Sequence, residues 1–522
     1  MRAKYVSAGV ALLLAQHVSA QLSCSQETFA GVSLPRGEIL SVVTELNNTL
    51  PAQQTVNTWP IFSNTTTLTC KVTIQHTHPG WNDTVTSYVW LPSEEWNGRF
   101  VGVGGGGWAG GRVDGLGYHV ARGYAAVTTD GGHAFEVADD LEVWAHTSKG
   151  NINWYGIQNF AAVALDDATT LGKAVVEAFY GSGPDFSYWT GCSTGGRQGL
   201  MLAQRYPEQY DGILATCPAI NWDRFLPAMF WPPFAMSQLD YYPPPCELEA
   251  ITKAAVEACD AQDGLEDGVV AWPGDCDFDA TTVVGQRITC ENNSTRVISD
   301  KGAQLANMFW KGPVSEEGVS EWYGLYPSAP MLGTALTVCS SETECEPAPF
   351  SITTDWIQFF LLQDPEADLS SLTHEEFSRF LRMSTNRYSS VIGTSDVNLK
   401  DFKRAGGKII SWHGADDELI PFLGTAQYYR RVLEADPNAA DFFRFFSVPG
   451  VQHCAGGEGW FPGDALDSLV DWVENGNAPD ILVGRPRESI EGEGREAPVC
   501  QYPKKLRYLG GDPDVVSSFE CQ

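Results

Sequence analysis

The stretch Phe186-Ser187-Tyr188-Trp189-Thr190-Gly191-Cys192-Ser193-Thr194-Gly195-Gly196-Arg197-Gln198-Gly199 decides how this 522-residue chain is read. Phe186 to Thr190 is rich in aromatic and β-branched residues and reads as a strand, while Gly199 to Arg205 continues as a helix. Between them Gly191-Cys192-Ser193-Thr194-Gly195 fits G-x-S-x-G, a strained strand-to-helix turn that lifts a serine hydroxyl clear of a sheet. Such a turn needs small neighbours, and Gly191, Gly195 and Gly196 supply them. A glycine-rich surface turn would use the same residue types, so the flanking chain has to decide.

Upstream, Ser87 to Leu91, Arg99 to Val103 and Tyr124 to Thr128 read as strands, and Ile157 to Tyr180 carries apolar residues at helical spacing. Downstream, Gly212 to Thr216 is a short apolar strand. The pattern resumes with strand Lys408 to Trp412, helix Thr425 to Glu434, strand Arg444 to Val448 and helix Ala465 to Glu474. Alternation of this kind predicts an α/β fold, a parallel sheet covered on both faces. Residues 221–399 break the alternation with prolines, aromatics and clustered cysteines, and read as a lid inserted into the sheet domain. The expected organisation is a leader at 1–20, an α/β-hydrolase domain split into 21–220 and 400–522, and the lid at 221–399.

A serine on such a turn needs a base and an acid, which in this fold follow in the order serine, acid, histidine. Trp412-His413-Gly414-Ala415-Asp416-Asp417-Glu418-Leu419-Ile420-Pro421 ends one predicted strand and presents carboxylates. Val448-Pro449-Gly450-Val451-Gln452-His453-Cys454 ends the next and presents a histidine. Periodicity does not separate Asp416 from Asp417. The recurring hydrolase spacing H-G-x-x-D-x-x-[IV]-P selects Asp417 and leaves Asp416 as a turn residue. Ser193, Asp417 and His453 are the expected nucleophile, orienting acid and base. A solvent-exposed loop histidine and an acidic helix cap are the plainer alternatives, which the ordered trio disfavours.

Ester cleavage also needs donors for an oxyanion. The Thr194 N–H, just after the nucleophile, is one candidate, and the glycine run Gly104 to Gly107 should give the second, with Gly106 chosen. The same run, from Gly102 to Gly107, matches the dinucleotide fingerprint G-x-G-x-x-G. The Trp108-Ala109-Gly110-Gly111 that follows is a poor helix start and argues against an organic cofactor.

Arg2 and Lys4, the apolar Val6 to Ala15 and Val18-Ser19-Ala20 before Gln21 read as a secretory leader. The apolar part is too short to span a bilayer, so a soluble, extracellular protein is expected. Thirteen cysteines suit an oxidising route, and an odd number leaves at least one unpaired or bonded to another chain. Cys259–Cys276, Cys339–Cys345 and Cys500–Cys521 are plausible short-range pairs, with Cys217 as the candidate free thiol. If Cys192 and Cys454 were bonded, their Cα atoms would lie within about 7 Å and the adjacent Ser193 and His453 would be close. Asn47, Asn64, Asn82, Asn292 and Asn293 begin N-x-[ST] sequons. A net charge of −32 argues against nucleic acid or anionic membranes as partners.

Cys259-Asp260-Ala261-Gln262-Asp263-Gly264-Leu265-Glu266-Asp267-Gly268-Val269-Val270 spaces three aspartates among turn-forming glycines. Hard oxygen donors of this kind suit Ca²⁺, although the spacing is not that of an EF-hand and a solvated acidic loop would look similar. Phe225, Phe230, Trp231, Phe234, Tyr241 and Tyr242 cluster in the insertion, either to hold a flat acyl group or, for most of them, to pack the lid.

The chain resembles the fungal tannase and feruloyl esterase family in Gly191 to Gly199, in His413 to Pro421 and in His453-Cys454. Gly104 to Gly111 and Cys259 to Val270 also look familial. The resemblance implies a disulfide from Cys192 to Cys454, a Ser193–Asp417–His453 triad, and a structural Ca²⁺. Its ligands would be the Asp260, Asp263 and Asp267 side chains with the Leu265 and Val269 carbonyls. It further implies esters of phenolic acids as substrates, hydroxycinnamates on plant cell wall polysaccharide or galloyl esters, with feruloyl esterase as the leading expectation and tannase as its rival. The contrasting class is a secreted binding protein on an inactive hydrolase scaffold, which would be free to lose any of the three residues that this chain retains.

Overall fold

A computed structural model describes residues 23–49, 67–290, 293–341, 344–486 and 494–522. The expected leader and the sequons at Asn64 and Asn292 lie outside the described residues.

Nine strands build the main sheet: β1 (Glu38–Thr49), β2 (Thr67–Thr77), β3 (Val85–Pro92), β4 (Arg99–Gly106), β5 (Ala125–Thr129), β6 (Phe186–Cys192), β7 (Gly212–Thr216), β8 (Lys408–Gly414) and β9 (Phe443–Val448). Their order is β1-β2-β3-β5-β4-β6-β7-β8-β9, and a short strand, Ala109–Gly111, folds back onto β4. From β5 to β9 the ladder is parallel; β1, β2 and β3 extend it antiparallel. Near-continuous burial of β5, β7 and β9 fits strands covered on both faces. Strands β1 and β2, and the antiparallel pairing of the expected strand β3, are findings beyond the sequence reading. On β1, Leu40, Val43 and Leu46 are all exposed and a bulge interrupts the register near Ile39, so the apolar residues mark no buried face.

Register places the functional loops. Cys192 pairs Thr216, Thr216 pairs Trp412 and Gly414 pairs Val448, so β6 to β9 end at one level. The loops carrying Ser193, Cys217, Asp417 and His453 therefore leave the same carboxyl edge of the sheet, where ligands bind in open α/β folds.

Helices α1 (Ala164–Tyr180), α2 (Thr194–Arg205) and α3 (Phe422–Ala435) cover one face of the sheet through a core including Leu171, Val175, Leu200, Ile213, Tyr429 and Phe445. The helix α4 (Ala465–Asn475) and the short helix Leu116–Ala121 cover the other, around Leu214, Ile410, Trp412 and Leu469. The single helix expected from Ile157 to Tyr180 is broken. A short helix, Trp154–Gln158, passes through a wider π-type turn over Asn159–Val163 before α1 begins. That turn lets the Phe160 and Ala161 carbonyls accept from the fully buried Arg197 guanidinium at 3.2 and 2.9 Å. The carbonyls and the rings of Phe160 and Trp222 replace the water that Arg197 loses.

Residues 221–399 give no strand to the main sheet among the described residues. They form helices, among them Trp222–Ala228, Trp231–Leu239, Pro245–Cys259, Asp300–Lys311 and His374–Ile392, around their own core. That core is continuous with the sheet domain through Trp108, whose ring meets Trp144, Trp222 and Trp356 just beyond the glycine run.

Six disulfides account for twelve cysteines: Cys24–Cys70, Cys192–Cys454, Cys246–Cys290, Cys259–Cys276, Cys339–Cys345 and Cys500–Cys521. Cys217 is free and buried. No described helix is long and apolar enough to cross a membrane. Asn82 and Asn293 are exposed, whereas Asn47 is half-buried on β1 with its amide donating to Glu45.

Candidate active site

Ser193 caps α2 with φ 60° and ψ −123°, a conformation that non-glycine residues rarely hold. Both sides of the turn are pinned: the Ser193 N–H donates to the Thr216 carbonyl, and the Ser193 carbonyl accepts from Arg197 and Ala219. Gly191 is required, because a Cβ there would lie 2.5 Å from the Gly195 backbone. Gly195 in turn lies against the glycine run, with its own Cβ position 2.9 Å from the Gly105 carbonyl oxygen.

The glycine run follows β4 and turns back as a hairpin, Gly106 facing Ala109 and Gly104 facing Gly111. This is not the strand-to-helix turn on which a dinucleotide pyrophosphate rests. Gln198 fastens the hairpin from α2: its Oε1 accepts from Gly105 N–H at 3.0 Å and its Nε2 donates to the Gly110 carbonyl at 2.8 Å. The Thr194 hydroxyl donates to the Gly107 carbonyl at 2.8 Å. With the Gly105 N–H engaged by Gln198, Gly106 and Gly107 are left beside Ser193 and Thr194 in a shared cavity wall. A Cβ on Gly106 would meet nothing within 4 Å, so the backbone there is bare toward the cavity.

On the far side of Ser193, Asp417 and His453 are joined. His453 Nδ1 lies 2.8 Å from Asp417 Oδ2. An ionised carboxylate can only accept, so Nδ1 carries the proton and Nε2 is the basic nitrogen. The Leu419 and Ile420 N–H groups donate to Asp417 Oδ1 at 3.0 and 2.8 Å. Burial acts to raise the Asp417 pKa, but the charge of His453 and hydrogen bonds from His413 and His453 overcome it, holding the carboxyl below the usual range. Burial acts to lower His453, and the neighbouring Asp417 carboxylate outweighs it, so the imidazole sits above its ordinary value.

Asp416 goes elsewhere. Buried beside Asp417, it accepts from the lid hydroxyl of Ser328, and burial pushes its carboxyl up to about 7. Two contacts escaped the sequence reading. His413 Nε2 lies 2.9 Å from Asp417 Oδ2 and 3.0 Å from the Ile420 carbonyl, and Thr425 Oγ1 lies 2.9 Å from His413 Nδ1. Because a carbonyl cannot donate, Nε2 bears a proton, and the contacts to Ile420 and Thr425 hold the His413 ring as a fixed donor to the acid. Glu418 Oε2 accepts from the His453 backbone N–H at 2.9 Å and holds that loop. The only sequence signal for His413 is its place in the H-G-x-x-D-x-x-I-P spacing; Glu418 has none.

The Cys192–Cys454 bond has a Cα–Cα distance of 5.9 Å across 262 residues of chain. Ser193 and His453 thus each sit one residue from a cross-linked cysteine, and both line a cavity of about 360 Å³. Its walls are otherwise almost wholly apolar: Trp222, Phe225, Leu226, Met229, Phe350, Ile352, Leu419 and Ile420. Of the six lid aromatics singled out in the sequence, Phe225 alone lines it. Phe230, Trp231 and Phe234 are buried in the lid core, Trp231 and Phe234 against Phe377, and Tyr241 donates to Glu247.

The acidic loop is ordered by its own side chains. Asp260 accepts from the Asp267 and Gly268 N–H groups, Asp263 from Leu265 and Asp267 from Val269, while Arg495 pairs Asp267 Oδ2 at 2.7 Å. Burial, with the like charges of Asp267 and Asp260, pushes Asp263 up to about 6. A hard divalent cation fits this donor set, since it would relieve a repulsion that Arg495 balances only at Asp267.

Comparison with known proteins agrees with this geometry. The family model described as "Tannase and feruloyl esterase" matches residues 70–522. A probable feruloyl esterase of Arthroderma benhamiae is 36% identical over 94% of this chain and 91% of its own length. A tannase of Aspergillus oryzae is 29% identical over the same shares, 94% and 91%. Among solved structures, a tannin acyl hydrolase from Aspergillus niger superposes with a TM-score of 0.86 at 27% identity, covering 96% of this chain and 95% of that one.

Proposed function

The chain belongs to the tannase and feruloyl esterase family, and on that premise we propose that it is an extracellular serine carboxylesterase acting on hydroxycinnamate esters, in the manner of a feruloyl esterase. Ser193 Oγ attacks the ester carbonyl while His453 Nε2 takes its proton. The carbonyl oxygen becomes an oxyanion facing the Thr194 and Gly106 N–H groups. His453 then protonates the leaving alcohol, and Ser193 is left acylated. Water, deprotonated by His453, attacks the acyl group, and the acid leaves as Ser193 regains its proton. Asp417 keeps His453 in the working tautomer and stabilises its cation.

The observation that carries the substrate class is the apolar wall of the cavity. A galloyl ring brings three hydroxyl groups, and each one buried without a partner costs about 1–3 kcal/mol. A feruloyl group brings one hydroxyl and one methoxy on a longer, flatter apolar body. Rings and aliphatic side chains such as Trp222, Phe225, Leu226 and Ile352 suit the second better. Residues 221–399 serve as the lid that supplies most of these contacts.

We also assign a structural Ca²⁺ to the Asp260, Asp263 and Asp267 carboxylates with the Leu265 and Val269 carbonyls. When bound it neutralises the crowded loop and takes no part in bond making. Chelation should lower the melting temperature, and an unchanged melting curve removes this assignment.

The central test compares hydrolysis of methyl ferulate, methyl caffeate, methyl gallate and a simple acetate, with Ser193→Ala as control. Preference for the hydroxycinnamates supports the proposal, and preference for gallate reverses it in favour of a tannase. Turnover by Ser193→Ala equal to that of the parent ends the serine mechanism.

A further inference from the structure

A second cluster of ionisable side chains lies away from the serine cavity, where the end of β2 meets α1. His76 lies in β2 and His78 one residue past its end, with ring centroids 5.7 Å apart. Asp167, on α1, meets them there: its Oδ2 lies 2.9 Å from His78 Nε2 and 3.6 Å from His76 Nε2. One donor atom from each of the three residues falls within 4.8 Å of the others, and all three residues are buried.

The hydrogen bonding of this cluster does not close. His78 Nδ1 lies 2.6 Å from Asp83 Oδ2, and that carboxylate is itself fixed by the His78 N–H and by Asn159 Nδ2. A neutral imidazole has one N–H, yet His78 faces a carboxylate at each nitrogen. His76 is 0% exposed, and neither of its ring nitrogens has a hydrogen-bond partner. An orphaned polar ring at that depth is costly. The triple Cys217, His413 and Asp417 is equally compact but differs, because both His413 nitrogens are already engaged.

The geometry points to a metal site: His76 Nε2, His78 Nε2 and Asp167 Oδ2 bind one divalent first-row transition ion, of which zinc best suits two imidazoles and a carboxylate. The ion gives His76 Nε2 a partner. It lets the His78 Nε2 lone pair and Asp167 Oδ2 face the same positive charge instead of each other, while His78 Nδ1–H donates to Asp83. A carboxylate behind a ligating imidazole is the usual means of fixing its tautomer and orientation. The ion ties the turn between β2 and β3 to α1, a structural role on the antiparallel edge of the sheet. It is separate from the acidic loop of the lid, whose all-oxygen donors suit a harder cation.

Elemental analysis of the chain, produced without a polyhistidine tag, should find about one zinc per molecule, or bind one after chelator treatment and Zn²⁺ titration followed by calorimetry. Cobalt substitution should give the visible absorption bands of a low-symmetry, nitrogen-and-oxygen-bound Co²⁺. His76→Ala and Asp167→Asn should lose both signals while still binding Ca²⁺ as the parent does. The His76→Asn variant serves where His76→Ala fails to fold. Two outcomes overturn the proposal: less than one-tenth equivalent of transition metal after reconstitution, or stoichiometric zinc retained by folded His76 variants.

Discussion

His413 Nε2 sits 2.9 Å from Asp417 Oδ2, the same oxygen that faces His453 Nδ1 at 2.8 Å. One carboxylate oxygen thus serves two imidazoles, one held in place by Ile420 and Thr425 and one that faces the serine cavity. The bond from His413 should matter for orientation and not for substrate binding. A hydrogen bond to a charged group contributes roughly 1.5–3 kcal/mol, which corresponds to about ten- to hundredfold in rate. His413→Asn is therefore expected to lower kcat by that factor with KM little changed. Steady-state kinetics on the folded variant checks it, and an unchanged kcat would make His413 a packing residue only.

With His453 as the proposed base, its raised pKa has a definite consequence. The imidazole must be unprotonated to take the Ser193 proton, so the acidic limb of kcat/KM should lie above the ordinary 6.5 of histidine. Asp417→Asn removes the main charge that holds it there. The limb should then move to lower pH while the rate falls, by about 10⁴ if the tautomer is lost. A parent profile with its limb well below pH 6 would contradict the assignment.

Asp416 and Asp417 are neighbours in sequence with opposite environments. A carboxyl raised to about 7 by burial favours the protonated folded state. Its contribution to stability is full below the unfolded value near 3.8 and is lost as pH rises through about 7. Asp416→Asn keeps an acceptor for Ser328 and cannot ionise. Its melting temperature should gain on that of the parent between pH 5 and pH 8, with most activity retained. A difference that does not change with pH would show that Asp416 is not the titrating group.

The Cys192–Cys454 bond closes a loop of 262 residues, for which chain entropy gives a stabilisation near the upper end of roughly 0–5 kcal/mol. Its position one residue from both Ser193 and His453 implies a second effect. A displacement of about 1 Å between reacting groups can slow a reaction roughly a hundredfold. The Cys192→Ala/Cys454→Ala double variant, assayed well below its melting temperature, should lose turnover beyond what unfolding explains. Full activity in the folded variant would reduce the bond to a staple.

Cys217 is the one free thiol, buried within 4.8 Å of ligating atoms of His413 and Asp417. Burial, with the Asp417 charge, pushes its pKa well up, so thiolate is scarce. A thiol reagent should label nothing in the native protein and one cysteine after unfolding without reductant. Rapid native labelling would place that thiol nearer solvent than its burial indicates.

Much of the sheet was legible in sequence because buried parallel strands are short apolar runs between periodic helices. Every strand expected from Ser87 onward lies within three residues of its place at either end. The outermost strand β1 was not legible, since Leu40, Val43 and Leu46 face outward and break the alternation that marks a half-buried strand. The π-type turn at Asn159–Val163 was equally hidden, because the partner of its carbonyls is Arg197, more than thirty residues away.

By itself the sequence determined the order of strand, turn and helix around Ser193, the loops that carry Asp417 and His453, and the glycines without which the backbone could not close. Those are local requirements of backbone geometry and side-chain size, and they are written locally. The spacing around His413 already selects Asp417 over Asp416; only the tertiary structure decided that His413 and Glu418 support the pair with His453, and that Phe225 faces the cavity while Phe234 packs against Phe377. It also brought Asp167 onto His76 and His78. Each of these depends on which charge or ring reaches a given point from a distant part of the chain, and no local pattern records that.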